Sequence, residues 1–364
     1  MRVMITGGGT GGHTSPAVAI VEELRRRDAQ LMVQWVGKAG AIEERVARNA
    51  EIPFRAVPAA GWPRSWSPRR LWVALVMLCG YIKATMLLRS FRPQVVVGVG
   101  GYVSLPLLLA AQHAGIPTVL HEQNSRLGMA NRLLAARCAR LLLSYPDTLG
   151  PYPRERAELV GNPVRPGFVN PPARAEAREA LGIADEIPVV LVVGGSQGAR
   201  AINEAMASAV HHFTKGEVCI LWMTGKTGEE AAQAAAMRAD VEVRVYPFID
   251  DMVTTCAAAD LIVSRAGASS SAEIAALGKP SILIPYPFAT DNHQEQNARA
   301  FEAAGAAVVL LDADCTALRL SDEIRALIED APKREAMAQA ARKLAKPLAA
   351  EQVAEVIMGL LFPR

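Results

Sequence analysis

A chain of 364 residues exceeds the size at which one hydrophobic core keeps growing, so two compact domains are the default expectation. With 51% hydrophobic and 21% charged residues and a formal net charge of +3, the chain reads as an ordinary globular protein. The charge excess is too small for a nucleic-acid binder, so any anionic partner is met locally.

The N-terminal MRVMITGGGTGGH is a short apolar strand running into a glycine loop, without the basic region, long apolar core or cleavage site of a secretory signal, and predicts a protein that is not exported. Gly7, Gly9 and Gly12 satisfy G-x-G-x-x-G, a weak signal taken by itself. The second strand, LMVQWVG, ends in Gly37 and Lys38, where a dinucleotide enzyme would place an acidic residue for the ribose. That absence counts against a nicotinamide-dependent oxidoreductase.

From Ile52 to His121 there is no acidic residue, while Arg55, Arg64, Arg69, Arg70, Lys83, Arg89 and Arg92 all fall inside the segment. Leu71, Leu75, Leu78, Ile82 and Met86 recur there at helical spacing, with Trp62, Trp66 and Trp72 close by. The pattern suits a helix lying on anionic lipid headgroups, and it equally suits a core helix with a solvated basic edge. The apolar run LWVALVMLCGYI meets Lys83 after twelve residues, short of the roughly 20 needed to span a bilayer, so no transmembrane helix is expected.

Further strands are read at QVVVGVG, PTVLH and RLLLS, then, beyond a proline- and glycine-rich linker from Pro151 through VGNPVRPGFVNPPARAE, at PVVLVVG, VCILWMTG, VRVYPF, LIVSRAG, PSILIPY and AAVVLLD. Alanine-rich helical stretches alternate with them, the pattern of βα units and parallel sheets. Both sets open on a strand and a glycine turn, MITGGGTGGH and LVVGGSQGAR, which predicts an α/β protein of two Rossmann-like halves. The final APKREAMAQAARKLAKPLAAEQVAEVIMGLL is helical, broken at Pro347. Five cysteines, Cys79, Cys138, Cys219, Cys256 and Cys315, form no close pair, which argues against a disulfide framework or a zinc cluster and fits a reducing cytoplasm.

Three glycine loops, Gly7 to Gly12, Gly98 to Gly101 and Gly194 to Gly198, each stand between a strand and a helix. Backbone N–H groups at a helix N-terminus are unpaired and carry the positive end of the macrodipole, so such loops favour phosphate. A tight βα turn explains any one of them; three together point to a phosphorylated ligand.

GGGTGGHTSPA, VGVGGYVSLP, HEQN at 121–124, VGNPVR at 160–165, GGSQGAR, SRAGASSSAE at 264–273 and DNHQEQNA at 291–298 occur in that order. Together they closely resemble the MurG family, the UDP-GlcNAc-dependent enzymes of glycosyltransferase family 28 that act in peptidoglycan synthesis. The resemblance covers nearly the whole chain. It implies the GT-B architecture, two Rossmann-like parallel-sheet domains facing a cleft: 1–163, completed by 341–364, for the acceptor and the membrane, and 164–340 for the nucleotide sugar. It implies that Ser196 and Arg165 meet the diphosphate, that Ile249 meets uracil through its backbone, that Glu273 accepts from the ribose hydroxyls, that Ser270 lies at a phosphate, and that Ser269 belongs to the same UDP-GlcNAc site. Asn124, Ala268 and Gln294 fall where the family reads the sugar, with Thr10, Gly11 and Gly12 on the first loop. Some members have Gln-Gln where this chain has His293-Gln294, which puts a contact from His293 in question. Glu273 opening an alanine-rich helix would also be favoured by the helix dipole, an effect of ~1 kcal/mol or less.

The implied reaction carries GlcNAc from UDP-GlcNAc to the 4-hydroxyl of the muramyl sugar of an undecaprenyl-pyrophosphoryl-linked acceptor, lipid I to lipid II, by single displacement with inversion. A UDP-GlcNAc 2-epimerase is the nearest alternative on the same fold, and a non-enzymatic membrane adaptor explains the basic segment but not the loops. Such a displacement needs a base, stabilisation of the departing diphosphate, and alignment. His13 is the candidate base, because imidazole titrates near neutral pH and the residue follows the first loop. Glu122 competes for that role or orients the acceptor, and Gly100, Gly101, Tyr102 and Ser104 are expected on the acceptor side. No metal site and no obligatory cofactor is expected, although a divalent cation could stimulate. Expected partners are UDP-GlcNAc, lipid I, an anionic membrane surface met through 62–92, and other cell-wall synthesis proteins; the expected location is peripheral, on the cytoplasmic face of the inner membrane.

Overall fold

The computed structural model describes residues 1–9, 11–63, 67–195, 198–289 and 292–362. The chain divides into two compact units, Met1–Pro166 with Lys346–Arg364, and Gly167–Ala345. The boundaries thus fall at Pro166 and Lys346 rather than at 163 and 341.

The first unit contains a seven-stranded sheet of β1 (Arg2–Thr6), β2 (Met32–Gly37), β3 (Phe54–Ala56), β4 (Val95–Gly98), β5 (Thr118–Glu122), β6 (Arg140–Leu143) and β7 (Ala157–Leu159). Its spatial order is β3-β2-β1-β4-β5-β6-β7, and every pairing is parallel. The central strands are continuous apolar runs because helices cover both faces. Val3 and Ile5 of β1 pack on one side with Ile20 and Leu24 of the helix Gly11–Arg27 and with Val353 and Ile357 of the helix Ala349–Leu361. Met4, between them, packs on the other side with Ala84 and Leu88 of the helix Arg69–Phe91 and Leu107 and Leu108 of the helix Leu105–His113. The last helix therefore completes the core of the first unit although it follows the whole second unit in the chain.

The second unit repeats the plan with six parallel strands, β8 (Val189–Val193), β9 (Cys219–Met223), β10 (Glu242–Tyr246), β11 (Leu261–Ser264), β12 (Ser281–Leu283) and β13 (Ala307–Val309), in the order β10-β9-β8-β11-β12-β13. Its core joins Val190, Val192, Ile220 and Trp222 to Ile202, Met206, Leu320 and Ile324 from the covering helices.

All eleven expected runs are strands; β3 and β7 are additional. Each is a three-residue edge strand, FRA and AEL, too short and too polar to stand out from its loop. Because β7 pairs with β6, part of the segment read as linker belongs to the first sheet.

Candidate active site

In both sheets the strand order reverses beside the first strand, β1 next to β4 and β8 next to β11. Open α/β sheets bind ligands at that point, outside the carboxyl ends of the strands. The glycine loops lie there: Gly7 to Gly12 follows β1, the Gly98–Gly101 loop follows β4, and Gly194 to Gly198 follows β8. In the first unit the two loops touch so closely that a Cβ on Gly101, at φ +82°, would sit 2.3 Å from the Gly8 carbonyl oxygen. Only glycine fits that approach. In the second unit a Cβ on Gly198, at φ +79°, would sit 2.3 Å from the Thr224 carbonyl oxygen.

His13 lies in the first turns of the helix Gly11–Arg27, half-buried against this pair of loops. Its Nδ1 is 3.1 Å from the Val99 carbonyl oxygen and 3.0 Å from Gln123 Oε1. Gln123 Nε2 donates to Val99 O at 2.8 Å and lies 2.9 Å from Nδ1 of the fully buried His121, whose Nε2 reaches Gly161 O at 2.9 Å. Burial pushes the His121 imidazolium down to about 4, so the ring is neutral at neutral pH.

Glu122 is differently placed. Its carboxylate is buried and accepts from Asn124 N and Nδ2, from Gly128 N at 2.8 Å and from Asn131 Nδ2 at 2.9 Å. These bonds fix Asn124 and the following loop, a positioning role. Tyr102 is 37% exposed beside Gly9 and Gly61, whereas Ser104 is fully buried and spends its hydroxyl on Gly101 O at 2.7 Å. Ser104 therefore shapes the loop and cannot line an acceptor surface, a correction to the expectation from sequence.

Glu43, which the sequence reading passed over, is a second buried carboxylate at this end of the sheet. It accepts from Gly9 N at 3.1 Å and Lys38 N at 3.0 Å. One backbone donor of the first loop is thus already satisfied within the protein, which narrows that loop as an anion cradle. The signal was an acidic residue just beyond β2 at the start of the next helix, Ile42–Asn49, rather than at the strand end.

In the second unit Ala268, Ser269, Ser270 and Glu273 share the helix Ala268–Leu277, which directly follows β11. Ser269 is buried, and Ala268, Ser270 and Glu273 are half-buried. Glu273 is the sixth residue of that helix and does not open it, so the dipole, which fades beyond the first turn, explains it poorly. Asn297 Nδ2 donates to Ala266 O and ties the loop to the helix His293–Ala303. On the latter helix Gln294 spends Oε1 on Tyr286 N at 3.0 Å, and its neighbour His293 is half-buried. Ile249, after β10, has a buried side chain, so any contact it makes with a ligand comes from its main chain. Arg165 falls in the first unit, next to the boundary, and was expected in the second. It acts electrostatically on Glu22, whose carboxyl burial nonetheless raises. Thr10 and Ser196 lie outside the described residues; Gly11 begins the helix Gly11–Arg27, and Gly12 is exposed. Among the described residues no group of His, Cys, Asp and Glu is arranged to hold a metal ion.

The helix Arg69–Phe91 turns its predicted stripe outward: Leu71, Trp72, Leu75, Leu78, Ile82 and Met86 are all exposed, as is Trp62. The stripe is not core. Val73, Gly80, Ala84 and Leu88 form the buried face instead, with Gly80 against the Pro58 carbonyl. Arg55, Arg69, Lys83, Arg89 and Arg92 are exposed, and Arg69 lies over the Trp72 ring; Arg64 and Trp66 lie outside the described residues. The helix runs on past Lys83 to 23 residues, long and apolar enough to cross a membrane by length and composition alone, while Val73, Gly80, Ala84 and Leu88 are buried within the first unit.

Two doubly wound sheets with glycine loops at both switch points define the class, a nucleotide-sugar-dependent enzyme of the GT-B type. The chain belongs to glycosyltransferase family 28: residues 3–143 match the N-terminal domain of that family and residues 189–353 its C-terminal domain. It is 42% identical over 99% of its length to the UDP-N-acetylglucosamine--N-acetylmuramyl-(pentapeptide) pyrophosphoryl-undecaprenol N-acetylglucosamine transferase of Desulforudis audaxviator, of which 98% is covered. The Listeria welshimeri protein of the same name is 36% identical over 99% of this chain and 100% of its own. Among solved structures, Acinetobacter baumannii MurG matches with a TM-score of 0.74 at 31% identity, over 98% of this chain and 99% of that one. The UDP-GlcNAc 2-epimerase of Neisseria meningitidis matches with a TM-score of 0.68 at 15% identity, over 98% of this chain and 100% of that one, a likeness of fold alone.

Proposed function

We propose that this chain is the transferase that carries N-acetylglucosamine from UDP-GlcNAc to the 4-hydroxyl of the muramyl sugar on a pyrophosphoryl-undecaprenol carrier, in peptidoglycan synthesis. The observation that carries the reading is end-to-end identity of 36–42% with transferases of that name, against a 2-epimerase likeness confined to fold. The exposed apolar stripe, on a helix that also carries exposed Arg69, Lys83 and Arg89, adds a reason to prefer a lipid-borne substrate.

In this reading the helix Ala268–Leu277 and the Gly194–Gly198 loop hold the nucleotide, with Glu273 on the ribose and Ser196, Ser269 and Ser270 on the phosphates. Asn124, Ala268 and Gln294 read the sugar, and Arg165 and His293 supply charge and hydrogen bonds to the leaving diphosphate. Gly100, Gly101 and Tyr102 face the acceptor. His13 takes the proton from the attacking hydroxyl, and backbone dipoles with hydroxyl and guanidinium donors carry the leaving-group charge without an obligatory metal. Glu122, with its carboxylate already accepting from Asn124, Gly128 and Asn131, is the less suited base. The Arg69–Phe91 helix docks peripherally on the anionic cytoplasmic leaflet of the inner membrane, its buried face remaining on the protein.

The test is incubation of the purified protein with labelled UDP-GlcNAc and a lipid-linked muramyl acceptor analogue. A labelled disaccharide that forms only with acceptor present is expected. Label appearing as a free epimerised sugar, with no disaccharide, would overturn the reading.

A further inference from the structure

We infer that Gln123 and His121 are positioning residues that hold His13 in the Nδ1–H tautomer, so that Nε2 is the nitrogen left to accept a proton. The inference rests on His13 serving as the base in the proposed reaction, and it deepens that role.

The Gly161 carbonyl accepts only, so His121 Nε2, 2.9 Å away, must donate to it. A neutral imidazole has one N–H, which makes His121 Nδ1 an acceptor, and burial keeps this ring neutral. The group 2.9 Å from that Nδ1 is therefore the NH2 of Gln123, whose second hydrogen goes to Val99 O at 2.8 Å. The amide oxygen is then the end that faces His13 Nδ1 at 3.0 Å. Val99 O, 3.1 Å from the same Nδ1, is a second pure acceptor. Two acceptors at one ring nitrogen require it to donate. His13 Nε2 makes no hydrogen bond among the described residues.

Flipping the Gln123 amide would set its oxygen against both Val99 O and the His121 Nδ1 lone pair, and would aim its NH2 at His13. The first two contacts are repulsive whatever the His13 tautomer and the third opposes the Nδ1–H form, so neutral His121 selects the amide orientation and the amide reinforces the tautomer. The ring is also confined from the loop side: a Cβ on Gly100 would lie 3.0 Å from Nδ1, and one on Gly101 3.4 Å from Cδ2. The spacing has a simple origin. His121 and Gln123 are two apart at the end of β5, where alternate side chains share a face.

The test is nitrogen NMR of the full chain with labelled histidine, at a pH where both rings are neutral, together with steady-state kinetics. The expected spectrum has His13 protonated at Nδ1 and bare at Nε2, and His121 the reverse. Gln123→Glu keeps an acceptor oxygen opposite His13 and is expected to keep its tautomer, while its second oxygen, facing Val99 O and His121 Nδ1, is expected to draw a proton onto that side. Gln123→Leu removes it; an Nε2–H population is expected to appear and kcat to fall roughly 10-fold or more, within the range general-base catalysis supplies, with KM for UDP-GlcNAc unmoved. A proton on Nε2 of His13 in the wild-type protein overturns the inference whether or not the variants fold. So does Gln123→Leu with the wild-type tautomer and kcat. The spectrum needs no substrate, so unimpaired turnover in His13→Ala would remove the base assignment while the expected wild-type spectrum would still support the positioning network.

Discussion

His13 and His121 stand 3.0 Å and 2.9 Å from opposite ends of one amide, and their surroundings give them different work. Replacing the base itself, His13→Ala, is expected to lower turnover about 10²- to 10⁴-fold with little change in UDP-GlcNAc affinity, read from kcat and from donor titration. His121, with both nitrogens used and no exposure, titrates far below an ordinary histidine, at about 4 against 6.5. Below pH 6.5 the unfolded chain takes up a proton that the folded chain refuses until about 4. The stabilisation from neutral His121 is therefore complete above 6.5 and lost as pH falls toward 4, a total of ~3 kcal/mol. Urea unfolding at pH 7 and pH 4.5 should show this slope, and His121→Gln should flatten it. At this scale the sequence was informative about which residues gather and less so about what each does. His13 and Tyr102 were legible as loop residues beside glycines, and Asn124 through the family resemblance. Ser104 and Glu43 were not, because a hydroxyl turned back on its own loop and a carboxylate capping another depend on contacts that no spacing encodes.

The strands were readable for a physical reason. A parallel strand covered on both faces must be apolar throughout, and β1, β4 and β8 are such runs. Edge strands β3 and β7 have only one neighbour each and carry no such demand. The helix Arg69–Phe91 was ambiguous by periodicity because both of its faces are apolar; the buried set is the small or branched Val73, Gly80, Ala84 and Leu88, and the large residues remain outside. If that outer stripe docks on lipid, Leu75→Glu with Leu78→Glu should abolish sedimentation with anionic vesicles. Both side chains are exposed, so folding stability should move by no more than about 0.5 kcal/mol for each. Wild-type sedimentation should weaken as salt rises. Vesicle binding unchanged in the double variant would exclude this helix as the contact.

The two units are built on one plan but differ in how the chain supplies them. The second is continuous, whereas the first draws Val353, Ala354 and Ile357 of its core from the far side of the second. Ending the chain at Ala345 should therefore destabilise the first unit by several kcal/mol, at roughly 1.5–3 kcal/mol for each buried Val or Ile, and leave the second intact. Calorimetry is expected to show one transition moved to much lower temperature beside an unshifted one; two unshifted transitions would mean that the helix contributes nothing to the first core. The closing helices were legible as helices, but their return to the first unit was implied by family resemblance and not by periodicity. An amphipathic pattern states that a face is buried without stating against what.

Chain order also sets a timetable for synthesis. As the polypeptide leaves the ribosome, residues 1–166 emerge first yet lack one of the helices that cover their sheet, while residues 167–345 carry everything their own sheet requires. The later unit can mature before the earlier one, so the nascent first core waits for Val353, Ala354 and Ile357 on a helix made nearly two hundred residues afterwards. That interval is when a chaperone would find most to hold.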